Sequence, residues 1–309
     1  MDMIIAVSLT IMTAATPLLF AALGEAVVER SGVLNLGVEG MMVMGAVCGF
    51  GAALYTGSQW LGLLAAILAG IMMSLLFGFL TLTLVSNQVA TGLALTLLGI
   101  GLSGQIGESF VGQPGVKVPN IGGFDPLILV AVALTAAVSW FLFKTKSGLV
   151  IRAVGNSHSS AHALGYNVIG VRYLCVMFGG ALAGLAGGYL SLVYTPQWVE
   201  NMTAGRGWIA LALVVFASWR PWRILFGAYL FGAITIMQLH IQALNLGDVE
   251  FLPGPIYGIL SLLKSIPAQF LSSLPYLATI VVLVLISRNR RLTLINTPAM
   301  LGQGFVPDR

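Results

Sequence analysis

The chain is written in long apolar runs broken by short polar ones. Runs able to cross about 30 Å of hydrocarbon fall at 3–23, 40–56, 60–85, 89–106, 127–143, 172–193, 207–218, 224–244 and 273–287. They stay apolar instead of alternating with period two, which points to membrane-spanning helices and away from a membrane β-barrel. The pattern predicts an all-α polytopic bundle of about nine spans with broken helices, the seventh span short. A single transmembrane domain over 1–309 is expected, with the polar loop 144–171 inside it.

Two interruptions are unlike ordinary loops. Gly24–Gly40 reads GEAVVERSGVLNLGVEG and carries Glu25, Glu29, Arg30, Asn35 and Glu39 between two spans. Ionisable groups at membrane depth are costly and usually face a bundle interior or a water-filled cavity. Val33, Leu34, Leu36 and Val38 interleave the polar groups, which a solvated loop does not need, so a broken helix is expected here. The second interruption, Ser86–Gly92, reads SNQVATG. Ser86 or Asn87 suits a helix cap, whereas Gln88 and Thr91 are candidates to face a polar pathway.

Charge supplies the orientation. Only 8% of the 309 residues are charged, 14 Lys+Arg and 10 Asp+Glu, where a soluble domain has roughly 25%. That deficit excludes an ordinary soluble enzyme and a disordered chain, and the net charge of +4 is too small to suggest nucleic acid. Basic residues gather at Lys144, Lys146, Arg152 and Arg172, at Arg220 and Arg223, and at Arg288, Arg290 and Arg291. The positive-inside rule makes these segments cytoplasmic. Counting spans back from them puts the N-terminus outside and the C-terminus inside, with no basic n-region to suggest a cleaved signal peptide.

Within 144–171 the expected element is one short helix over Ser159–Leu164, capped by Asn156 or Ser157 and ended by Gly165 in a left-handed conformation. It would present Ala161, Ala163 and Leu164 to a partner. His158 and His162 lie one turn apart but lack a third ligand, so no metal site is expected. In the sixth span Gly180, Gly184 and Gly188 repeat at four-residue spacing and predict close helix packing. Cys48 and Cys175 lie in apolar runs and read as small buried hydrophobes. No P-loop, HExxH, GxSxG or CxxC motif occurs, so neither an enzyme nor a bound cofactor is expected.

Four stretches carry a resemblance: ERSGVLNLGVEGMMVMGAV from Glu29, NQVATGLALTLLGIGLSG from Asn87, SGLVIRAVGNSHSSAHALGYNVIGVR from Ser147 and GRGWIALALVVFASWRPW from Gly205. In this order, over nearly the whole chain, the sequence resembles the permease subunits of ABC importers for nucleosides and simple sugars, within the group that includes ribose and branched-chain amino acid permeases. It is similar to the shorter of the two permeases that pair in nucleoside importers. The resemblance implies a bacterial cytoplasmic (inner) membrane location and three protein partners: a cytoplasmic ABC ATPase subunit, a second permease in a heterodimer, and an extracellular or periplasmic solute-binding protein.

It also implies residue roles. The loop becomes the helix that couples to the ATPase, through Gly155, Asn156, Ser159, Ala161 and Gly165. Family members commonly carry a GENPxAAxxxGI-like sequence there, and this chain lacks the acidic residue after Gly155. Asn35, Glu39, Gln88 and Thr91 would lie toward the substrate pathway. An ion-coupled secondary transporter is the rival reading, weakened because neither a convincing inverted repeat nor a charge relay beyond Glu25–Glu39 is visible.

Overall fold

A computed structural model describes residues 2–115, 125–243 and 296–307, with scattered positions between 266 and 284. The described residues form helices and irregular backbone without strands: α1 (Asp2–Arg30), α2 (Val38–Thr56), α3 (Gln59–Gly78), α4 (Gln88–Gly107), α5 (Pro126–Lys144), α6 (Lys146–Asn156), α7 (His158–Ala163), α8 (Val168–Tyr189), α9 (Arg206–Phe216) and α10 (Pro221–Ala243). α3 and α8 each end in a π-helical turn, Phe79–Thr83 and Leu190–Tyr194. Local chemistry fixes several starts. Asn87, Asp125, Thr145, Ser157 and Asn167 each accept a backbone N–H at the N-terminus of the helix that follows, and Pro126 occupies the first turn of α5, where its missing N–H costs nothing.

Seven described helices are long and apolar enough to cross a membrane. The seventh expected run is different: α9 has 11 residues, or roughly 16 Å at 1.5 Å per residue, too short to cross alone. The irregular segment 195–205 completes its path. At one end of the bundle the Gly115 N–H donates to the Pro196 carbonyl at 3.1 Å, and at the other end Trp219, just past α9, donates to Glu29 at 2.5 Å. The segment 195–216 is therefore half irregular and half helical. The ninth expected run, 273–287, lies outside the continuously described residues.

Small residues set the packing. α8 lies at the centre, with α2 and α3 against its glycine stripe. A methyl group on Gly70 would meet the Gly184 backbone at 2.8 Å, and one on Gly62 would meet the Gly49 carbonyl oxygen at 2.7 Å. Where α2 crosses α4, a Cβ on Gly40 would lie 2.7 Å from Thr96 Cα and the Leu95 carbonyl oxygen. These helices touch backbone to backbone, as expected of membrane helices that gain by dispersion rather than by water release. The core around them runs from Leu19 and Phe20 through Met41, Met42 and Phe50 to Tyr189 and Leu213.

The polar loop holds two helices, not one. α6 was not anticipated, because Gly148 and Gly155 weaken its helix signal; both are buried together with Ile151 and Val154 on one face. α7 runs His158–Ala163, one residue earlier at each end than expected, and Gly165 at φ +85° closes it. The Gly165 N–H donates to the His162 carbonyl and the Tyr166 N–H to the Ala161 carbonyl, satisfying the last turn.

Candidate functional site

The break between α1 and α2 is the organising feature. α1 continues to Arg30, so Glu25, Glu29 and Arg30 are helical and buried, and the irregular backbone is confined to residues 31–37. Non-helical backbone inside a membrane bundle has to be satisfied by protein groups, and here four side chains from three helices supply them. Leu34 N–H donates to Gln88 Oε1 of α4 at 2.8 Å, and Asn35 N–H donates to Glu25 Oε1 of α1 at 3.3 Å. The Leu36 carbonyl accepts from Thr96 Oγ1 of α4 at 3.1 Å. Arg172 of α8 donates to the carbonyls of Ser31 and Gly32, both at 3.2 Å. Gly32, at φ +86°, provides the left-handed turn.

Asn35 adds a local clamp, its Oδ1 accepting from Gly37 N–H at 2.9 Å. The structure thus brings Asn35 and Gln88 to one joint. Glu39 lies on the neighbouring turn with different partners: Oε1 accepts from Thr203 Oγ1 at 2.5 Å and Gly205 N–H at 2.7 Å, and Oε2 from Gly207 N–H at 2.6 Å. A buried carboxylate on the N-terminal N–H groups of a half-helix is favoured by both hydrogen bonding and the helix dipole. Glu39 is the cap of α9. Thr91 is separate again, half-buried and bonded to Ser86 Oγ at 2.8 Å. Asn35, Glu39 and Gln88 are all buried, at 3% exposure or less.

The loop helices meet the same joint. Gly155 at the end of α6 packs so closely on the Arg30–Gly32 turn that a Cβ would lie 3.1 Å from Gly32 N. Ala161 is buried against Val154 and Val168, so it anchors α7 and is not part of the presented surface. Asn156, Ser159, Ala163, Gly165 and Tyr166 are exposed, and Leu164 is 77% exposed. His158 is buried, its Nε2 in contact with Arg172. Burial and Arg172 pull this imidazole down to about 4, so it is neutral at ordinary pH.

Residues 296–305 form a strap over this joint. Met300 N–H donates to the Gly155 carbonyl at 3.0 Å and Gly302 N–H to the Gly32 carbonyl at 3.1 Å. Gln88 Nε2 donates to the Gln303 carbonyl at 3.4 Å, and Arg30 donates to the Asn296 carbonyl at 3.2 Å. The Phe305 ring meets both His158 and His162 edge-on, centroids 5.6 Å apart in each case. Sequence reasoning missed this strap, which carries no apolar period. It also missed Arg172 as a structural residue, counting it only as a topology charge. An arginine opening an apolar span was the available signal, since a buried guanidinium demands several carbonyls.

Fold and joint together define an all-helical bundle with seven described helices long and apolar enough to cross a membrane. The profile of the family described as "Branched-chain amino acid transport system / permease component" matches residues 7–286, and the chain belongs to that family. A Haloferax volcanii protein named "Putative glucose ABC transporter permease protein TsgC13" is 45% identical over 87% of this chain and 88% of its own. The guanosine ABC transporter permease protein NupQ of Bacillus subtilis is 33% identical over 87% of this chain and 88% of its own. NupP of the same organism, also a guanosine ABC transporter permease protein, is 26% identical over 79% of this chain and 75% of its own.

Proposed function

We propose that the chain is the permease subunit of an ATP-driven ABC importer that moves nucleosides or related simple sugars across the cytoplasmic membrane. The observation that carries the proposal is the mechanical continuity of the joint. The exposed surface of α7 is continuous through Gly155 and Arg172 with the break between α1 and α2, and through Gln88 with α4. A push or pull on α7 would therefore reach the helices around the pathway as a displacement of packed backbone rather than of a loose loop. The ATP-binding partner acts on α7 and its two flanks at Asn156, Ser159 and Gly165, while Gly155 and Ala161 fix the segment to the bundle.

The pathway runs beside Thr91 and the exposed face of α4, where Leu97 is 72% exposed, and a second permease completes it from the other side. Family relatives NupQ and NupP share an organism and a named substrate, which supports two unlike permeases in one importer. Asn35, Glu39 and Gln88 line the wall behind Thr91 and act by exchanging partners as the wall moves. In this reading Lys144, Lys146, Arg152, Arg220 and Arg223 mark the cytoplasmic side, the N-terminus is outside and the C-terminus inside, and the bundle has nine traverses. Capture of solute belongs to an external binding protein.

The test is uptake by proteoliposomes containing this chain, a second permease, the ATPase subunit and the binding protein. Uptake of labelled nucleoside or sugar that needs ATP inside and ignores ionophores is the expected result. Uptake driven by an ion gradient without the ATPase would overturn the proposal in favour of a secondary transporter.

A further inference from the structure

A small apolar cluster stands apart from the main core where α1, α5, α6 and α8 converge, formed by Val27, Val138, Leu142, Ile151 and Cys175. These helices leave a cavity of about 640 Å³ between them, lined almost wholly by hydrocarbon, with Ser147 at its edge. Its position is informative. α5 ends as a span at Lys144, and after Thr145 the chain turns directly into α6 at Lys146. At 11 residues, roughly 16 Å, α6 is too short to cross a bilayer. It buries Gly148, Ile151 and Val154 yet leaves Leu149 59% exposed beside exposed Lys146. That mixture of an apolar surface and flanking cations is the signature of a helix lying in the membrane interface. The cavity therefore sits where hydrocarbon gives way to headgroups.

We infer that the cavity between α1, α5, α6 and α8 is a site for an anionic phospholipid of the adjoining leaflet, one acyl chain in the apolar cavity and its phosphate on Lys144 and Lys146. Lys144 ends α5 and Lys146 opens α6 beside Ser147, and neither lysine is buried, so both are available to a phosphate at the rim. The acyl chain replaces side chains the protein does not provide: Ala137 and Val150 line the cavity where larger residues would close it. Occupancy has a mechanical consequence. α6 is one wall of the cavity and ends at Gly155, the residue seated on the Arg30–Gly32 turn, so a bound lipid fixes the position of α6 and through it the seat of α7. That consequence rests on the coupling role proposed above; the binding does not.

The binding is tested without any partner protein. The full chain is extracted from vesicles of equal parts phosphatidylcholine and phosphatidylglycerol, and retained lipid is identified by native mass spectrometry. Retention of phosphatidylglycerol over phosphatidylcholine by roughly tenfold is expected from two lysines near a lipid phosphate. The Lys144→Gln/Lys146→Gln double variant should keep a phospholipid but lose the preference. Ala137→Trp, at an exposed position that lines the cavity, should lose the retained lipid while its melting temperature is unchanged. Equal retention of the two lipids, or undiminished retention by Ala137→Trp, would overturn the inference. So would efficient cross-linking of an Ala137→Cys variant to a second permease chain, since the cavity would then be a protein interface.

Discussion

Arg172 and His158 hold each other beneath the helix break, the guanidinium against the imidazole Nε2. A guanidinium is always charged and only donates, so Nε2 must be the accepting, unprotonated nitrogen. Burial and the neighbouring cation both oppose protonation, which is why the group falls from 6.5 to about 4. The unfolded chain therefore binds more protons than the folded one between those values, and stability drops as pH falls. The contribution is complete above about 6.5 and disappears toward 4. The apparent melting temperature, followed by tryptophan fluorescence, should decline through that window. His158→Gln, which keeps an acceptor but cannot titrate, should flatten the decline; an unchanged profile would show that other groups govern it.

Glu39 is the second point at which one side chain holds two elements. Glu39→Ala would leave the Gly205 and Gly207 N–H groups and the Thr203 hydroxyl without their acceptor inside the bundle. Loss of charge-assisted bonds with burial of the orphaned donors costs about 3–5 kcal/mol. Glu39→Gln keeps one acceptor and should cost about half as much. The irregular segment 195–205 is where the damage should appear, as proteolytic cleavage in the alanine variant. Equal stability of all three proteins would remove Glu39 as the cap of α9.

The contrast between these residues shows what the sequence makes legible. Long apolar runs fixed α1 to α5, α8 and α10, because twenty apolar residues have few alternatives in a membrane. The polar groups of Gly24–Gly40 and Ser86–Gly92 stand out in the sequence, and Asn35 and Gln88 each accept a backbone N–H of the break. What escaped was the partner of each group. Glu39 finds Thr203 across 164 positions of sequence, and Gln88 finds Gln303 across 215; no local pattern encodes such pairs. The inward orientation of Ala161 escaped for a related reason: a six-residue helix shows too few turns to declare its buried face.

Gly165 separates docking from folding. A Cβ there meets nothing within 4 Å, but the backbone is left-handed at φ +85°. Gly165→Val should therefore cost only the strain of that conformation, about 1–2 kcal/mol, and the protein should still insert and assemble. If α7 seats in the ATPase, the distorted end of the helix should abolish transport and stimulation of ATP hydrolysis, while the binding protein keeps its ligand. Normal uptake by Gly165→Val would refute the coupling role of α7.

The strap is held mainly through its backbone, so side-chain substitution cannot release it. Met300 and Gly302 donate their N–H groups to Gly155 and Gly32, one at the end of α6 and the other in the break. A chain truncated after Ile295 loses both bonds, along with the Gln303 carbonyl that occupies Gln88 Nε2. The carbonyls left behind lie on the two sides of the joint, and without the strap each must find water or a new donor. Amide exchange should accelerate in residues 29–37 and 153–168 together, since both sides lose a partner in one step, while α2 and α8 keep their protection. Phe305→Ala keeps the backbone bonds and removes the ring between His158 and His162. It should quicken exchange in 153–168 and leave 29–37 unaffected. That split distinguishes a strap joining two elements from a tail resting on one, and identical exchange in truncated and full-length chains would dismiss both.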